Sequence, residues 1–190
     1  MTLALVVAML AVVVVVTTGR TAGLTALPVR GVRLLVAAGV LQVGGTTFAA
    51  GSAWVRVPVL VLAVLLVALF LAGNSSLPGI PLVSAGLLLN VLVITANGAM
   101  PVSAAAAARA GIPAPELVAD DALRTPIGSG TRIGLLGDQI PVALPWWPQV
   151  VSVGDVLVAA GVGLLLVAGS RLKPGAQAPS LVERSMILDR

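Results

Sequence analysis

Residues 57–72 read Val-Pro-Val-Leu-Val-Leu-Ala-Val-Leu-Leu-Val-Ala-Leu-Phe-Leu-Ala, sixteen positions without a charge or a hydrogen-bonding side chain. A helix that is apolar on every face has no side to turn to water, so it belongs inside a large core or in lipid. The rest of the chain decides between these. Of 190 residues, 58% are hydrophobic and 9% charged, against about 25% charged in soluble domains. Too few polar groups exist to cover a water-exposed surface, and lipid removes that conflict.

Outward from this stretch the same pattern repeats. Gly73-Asn74 closes it, Pro78 and Pro81 open a second apolar run over 80–96, and the connection is short enough to force an antiparallel hairpin. Upstream, 34–54 is entered after Arg30 and Arg33 and becomes semi-polar through Gln42, Thr46, Thr47 and Ser52. Runs over 1–18 and 153–169 complete the set. A spanning helix needs about 20 mainly apolar residues, so the sequence predicts an all-α membrane fold of about five transmembrane helices. A long polar loop, 97–151, separates the fourth from the fifth, and a basic tail follows over 171–190. Residues 1–18 lack the basic start of a secretory signal and are read as a retained first span. Pro58 is expected in the first turn of its helix, where the missing N–H costs nothing. No internal repeat of the kind that marks inverted-repeat transporters is visible.

Lys/Arg counting orients the spans. With the C-terminus cytoplasmic, the inner segments carry Arg20, Arg30, Arg33, Arg171, Lys173, Arg184 and Arg190, and the outer ones Arg56, Arg109, Arg124 and Arg132. Positive charge favours the inside, giving N-terminus out and C-terminus in. Ten Arg to one Lys in a chain rich in Ala, Val and Gly suggests a GC-rich bacterial genome, hence a bacterial plasma membrane.

The absence of Cys and His excludes thiol nucleophiles, imidazole bases, disulfides and metal or haem sites that need those ligands. Ser75, Ser103 and Ser152 have no His partner, so no acyl-transfer triad can be built. No cofactor or metal is expected. The net charge of +4 is spread over loops with no aromatic-interleaved basic run, which leaves nucleic-acid binding without support and fits contact with lipid headgroups.

The loop holds seven of the 13 prolines and four of the seven acids. Ser103 before an alanine run ending at Gly111 predicts a short helix with a Ser N-cap and a Gly stop. Residues 133–144 are apolar but too short to span, which predicts a re-entrant or interfacial segment beside Trp146-Trp147, residues suited to the headgroup level. Asp138, between Leu136-Gly137 and Ile140, needs pairing or solvent at membrane depth. It reads either as a functional carboxylate or as part of a plain Gly-Asp turn, with Arg124 and Arg132 as candidate partners. Ser152-x-x-Asp155 predicts a capping box opening the last span, with an ion or substrate site at the membrane mouth as the alternative. Asn90 reads as interhelical glue, and Asn97-Gly98 as a turn. Two Gly-Asp pairs invite comparison with intramembrane aspartyl proteases, but both carboxylates fall at or outside helix ends. Glu116, Asp120 and Asp121 read as a solvated face. The candidate binding residues are thus Asp138, Asp155, Asn97, Asn90 and Arg132, and no catalytic residue is assigned.

Taken in order, Ala72-Gly73-Asn74 with Pro78-Gly79, Leu89-Asn90 through Asn97-Gly98, Met100-Pro101-Val102-Ser103, Leu136-Gly137-Asp138-x-Ile140-Pro141 and Ser152-x-Gly154-Asp155 resemble DUF5317, a family of small polytopic bacterial membrane proteins of unknown function. The resemblance spans roughly 30–168. It departs in the loop, where a His-containing stretch is expected and none occurs. It implies membrane integration and one extracytoplasmic face shared by Asn97, Asp138 and Asp155, and it implies no activity. The expected role is a structural, accessory or partner-binding membrane component, with lipid, another membrane protein or a second copy as partner. The alternatives are a small transporter or channel component using Asp138 and Asp155, and an enzyme on a lipid-linked substrate. The enzyme reading requires both carboxylates and an arginine to converge on one pocket.

Overall fold

A computed structural model of the chain describes residues 27–48, 53–113 and 124–172. The expected first span, the acids Glu116, Asp120 and Asp121, and the tail beyond Leu172 lie outside the described residues. The element order is α1 (Val32–Phe48), α2 (Ala53–Gly73), α3 (Ile80–Asn97), β1 (Met100–Val102), α4 (Ala104–Ala110), β2 (Arg124–Pro126), a 3-10 turn (Gly134–Leu136), β3 (Ile140–Val142), β4 (Gln149–Val151) and α5 (Val153–Ser170).

The chain is mostly helical, and the all-α expectation needs correction. The described residues include two small sheets, a parallel pair β1–β2 and an antiparallel pair β3–β4. Five spanning helices do not emerge either. Among the described residues two helices, Ile80–Asn97 and Val153–Ser170, are long and apolar enough to cross a membrane. The apolar parts of the first two helices, Val32–Leu41 and Val61–Gly73, are shorter. Of the run predicted over 34–54, the described residues up to Phe48 belong to α1, and Ala53 and Trp54 belong to α2. Because α2 starts at Ala53, Pro58 stands inside the helix rather than in its first turn, where it removes one main-chain hydrogen bond.

The axis of the molecule is the contact between α3 and α5. They run antiparallel, with Gly79 against Gly161 and Gly86 against Gly154. The glycines on each strand of this seam are seven residues apart, two helical turns, so they fall on one stripe. A methyl group on Gly86 would strike the Gly154 carbonyl oxygen, and one on Gly161 would sit 2.6 Å from the Gly79 carbonyl oxygen. Small residues here let the two backbones meet, as is common where apolar helices associate. Gly79 is doubly constrained, since it precedes α3 with φ 88° and faces the Gly161 carbonyl.

The α1–α2 pair joins at one end. Phe70, Leu77 and Ile80 form a buried cluster with Val29, Leu34, Leu71 and Leu165 packed against it. Asn74, 2% exposed, fixes this corner: its Oδ1 accepts from the Arg30 N–H at 2.8 Å, and its Nδ2 donates to the Arg30 and Phe70 carbonyls at 2.8 and 2.7 Å.

Gly86→Ala is expected to destabilise the detergent-solubilised protein by about 1–3 kcal/mol through overpacking of the seam. Gly163→Ala, where an added methyl meets nothing within 4 Å, should leave the melting temperature essentially unchanged. Equal melting of the two variants would show that α3 and α5 do not touch through glycine.

Candidate functional site

The described parts of the segment between α3 and α5, 98–113 and 124–152, form a compact cap. β1 is its spine. On one side it pairs with β2, Met100 opposite Arg124 and Val102 opposite Pro126. On the other it meets Asp138, whose N–H donates to the Pro101 carbonyl at 2.8 Å and whose carbonyl accepts from the Ser103 N–H at 2.9 Å. The Gln139 N–H then reaches the Val151 carbonyl at 3.1 Å, tying this strip to β4. α4 covers the strands with Ala106, Ala107 and Ala110, which pack with Val102 and Val150. Seven residues form no stable helix alone; alanine lets this one lie close to the strands, and its caps match expectation. Ser103 Oγ accepts from the Ala106 N–H at 3.2 Å, and Gly111 ends the helix at φ 84°.

The strands were not foreseen for a reason visible in their composition. Met-Pro-Val, Arg-Thr-Pro and Ile-Pro-Val each contain proline, which lacks a ladder donor and demotes a run in any reading of strand pattern. Here each strand is three residues long, and Pro101 serves through its carbonyl alone. Residues 133–144 accordingly form no re-entrant helix. They fold as the 3-10 turn followed by β3, and the β3–β4 hairpin carries Trp146 and Trp147 at its tip.

Three polar assemblies order the cap among the described residues, the first two joining it to the helices and the third acting within it. The first joins α3 to α5. The predicted capping box is present: Ser152 Oγ accepts from the Asp155 N–H at 3.0 Å, and Asp155 Oδ2 accepts from the Ser152 N–H at 3.2 Å. Asn90 extends it across the helix pair, with Nδ2 donating to Asp155 Oδ1 at 2.9 Å and Oδ1 accepting from Ser152 Oγ at 2.9 Å. The result is a closed ring of four hydrogen bonds around a fully buried Ser152. Gly154 makes it possible, because a methyl there would land on Asn90 Oδ1.

The second assembly ends α3. Asn97 Nδ2 donates to the Val93 and Arg132 carbonyls, both at 2.8 Å, while Oδ1 accepts from the Arg132 N–H at 2.7 Å. Both amide hydrogens are consumed, so Asn97 positions the 3-10 region through the main chain of Arg132 and has no donor left for a ligand. The third is the pair of Asp138, 2% exposed, with Arg124, whose Nε lies 3.5 Å from Asp138 Oδ2. Of the two arginines considered as its partner, Arg124 is the one the fold supplies.

The five predicted site residues therefore separate. Asn90 and Asp155 share the ring, Asp138 lies within the cap, and Asn97 meets Arg132 at the end of α3. A shallow depression of about 530 Å³, lined by Asn97, Thr125, Thr131 and Arg132 among others, contains neither Asp138 nor Asp155. The convergence required of an enzyme with both carboxylates is not what this depression offers. Asn74 was named in the sequence only as flanking a span; its bracket with Arg30 bridges 44 residues, a contact without a local signal.

Fold and site together define a class: a glycine-seamed pair of helices carrying a small α/β cap held by side-chain amides and carboxylates. Residues 26–167 match the family described as "Family of unknown function (DUF5317)", and the chain belongs to that family. No curated protein and no solved structure matches it.

Arg124→Gln should remove the Arg124 guanidinium from beside the buried Asp138 carboxylate. Loss of one partner from a buried pair costs roughly 3–5 kcal/mol. Arg124 is 34% exposed, so about 2–3 kcal/mol is expected, read as lower thermal stability and faster proteolysis of the cap. Arg124→Lys should recover part of it. Unchanged stability in Arg124→Gln would mean that the pair does not hold β2 to the cap.

Proposed function

We propose that this protein is a multi-pass component of a bacterial plasma membrane that acts by presenting its cap to a partner, as a structural or accessory subunit and not as an enzyme. The observation that carries this reading is where the polar side chains go. Asn90, Ser152, Asp155 and Asn97 spend their hydrogen-bonding groups on one another or on the backbone, and Asp138 is buried against Arg124. Groups invested in this way build a fixed surface; a transport pathway through Asp138 and Asp155 would have to dismantle the clamps that hold the cap.

Membrane integration is supported by α3 and α5, which are long and apolar enough to cross yet expose Leu88, Val91, Leu92, Leu164 and Val167. Lipid would cover these side chains, and the apolar faces of α1 and α2, Val36, Val40 and Leu69 among them, would be covered in the same way. Arg30, Arg33 and Arg171 gather at the end away from the cap, which supports a cytoplasmic C-terminus and a cap outside.

The test is extraction of the full chain from bacterial membranes. Release only by detergent, and migration with a second protein or as an oligomer in mild detergent, is the expected result. Release by alkaline carbonate, or a bare monomer in detergent, would contradict the reading. Because the native chain has no Cys, a single reporter at Ser129→Cys should react with an impermeant maleimide on intact cells, and one at Leu172→Cys only after permeabilisation.

A further inference from the structure

We infer that the loop at the end of α3, residues 125–132, is a binding site for a phosphate group, and that its ligand is a phospholipid headgroup. The inference rests on the membrane reading above and adds a ligand to it. The chemistry of the lining is one-sided. Arg132 is among the lining residues, and among the described residues no carboxylate lines the depression. Thr131 Oγ accepts from the Gly128 N–H at 2.9 Å, while the Thr131 N–H donates to the Gly128 carbonyl at 3.1 Å. That closes residues 128–131 into a tight turn and leaves the Thr131 hydroxyl proton free to donate. Thr125 adds a second hydroxyl to the wall. Gly128 and Gly130 line the same depression, and a methyl on either meets nothing within 4 Å, so an oxyanion can approach the backbone closely. A cation beside two hydroxyls, with no acid among the described lining residues, is the donor set suited to a phosphate oxygen.

Two features select a lipid over soluble phosphate. The loop is pinned to the last residue of α3 through the Asn97–Arg132 bracket, at the level where the apolar helix ends. Its rim is apolar and exposed: Ile127 and Ile133 flank the turn, and Leu135, 83% exposed, follows it. A polar notch beside bare aliphatic side chains at a helix end matches the boundary between headgroup and acyl chain. Because Arg132 meets Asn97 through its main chain, its guanidinium is not needed to hold the loop, and its substitution separates binding from folding.

The experiment uses the full chain, delipidated in mild detergent, with native mass spectrometry and melting curves against added dioleoyl-phosphatidylglycerol, dioleoylglycerol and inorganic phosphate. Phosphatidylglycerol should bind and raise the melting temperature, and dioleoylglycerol and inorganic phosphate should not. Arg132→Gln should weaken phosphatidylglycerol binding about tenfold, in line with the loss of a charge-assisted hydrogen bond, with its lipid-free melting unchanged. Gly130→Asp, which places a negative charge in open space, should weaken it at least as much, and Arg109→Gln should not. Equal binding of dioleoylglycerol, or full affinity in Arg132→Gln and Gly130→Asp, would overturn the phosphate site. Saturation by inorganic phosphate at similar strength would overturn the lipid assignment. Either failure with the chain still resistant to carbonate extraction leaves the membrane reading standing, whereas carbonate release removes that reading first.

Discussion

The backbones of α3 and α5 meet where Gly79 faces Gly161 and Gly86 faces Gly154, and the order of the cap follows from that contact. Between helices that are apolar on most faces, little distinguishes one packing partner from another. Close packing of small residues and a few interhelical hydrogen bonds make the difference. The glycine seam brings α5 near enough for Asn90 to reach over Gly154 to Ser152 and Asp155. Ser152 directly follows β4, so the ring that registers the helices also fixes the last strand of the cap. A shift by one helical turn would separate Asn90 from both partners and bring side chains into the seam.

The same device recurs at the C-terminal ends of α2 and α3. Asn74, the residue after α2, and Asn97, the last residue of α3, each donate to the carbonyl four residues back and pair with both main-chain groups of an arginine, Arg30 and Arg132 respectively. A side-chain amide presents N–H and C=O side by side, as a peptide does, so it can extend a helix end toward a neighbouring strand. Helix ends leave unpaired carbonyls, and these asparagines use that deficit to anchor α1 at one end and the 3-10 region at the other.

Much of this was legible in the sequence, and the remainder was not for identifiable reasons. The limits of α3 and α5 follow from mainly apolar runs bounded by Pro-Gly, Asn-Gly and Ser-Val-Gly-Asp, and both predicted caps formed because they depend on residues three apart. Asn90 as helix glue and Arg124 as a partner for Asp138 were also readable, since burying a polar group demands a partner. Three of the four described strands are hidden by their prolines, and all four by their length. Arg132 was singled out for its charge, whereas the contact that orders the loop uses its main chain, a group every residue owns and no sequence motif advertises. The 44-residue bracket between Asn74 and Arg30 depends on the packing of two helix pairs and has no counterpart in local pattern.

The distance between the α3 and α5 backbones is read by through-space solid-state NMR in bilayers without altering a residue. With glycine carbons labelled in the full chain, cross-peaks should connect Gly86 to Gly154 and Gly79 to Gly161, with none between Gly86 and Gly161. Absence of the first two, or their replacement by contacts in another register, would contradict the packing on which the ring, the cap and the loop at Arg132 are built.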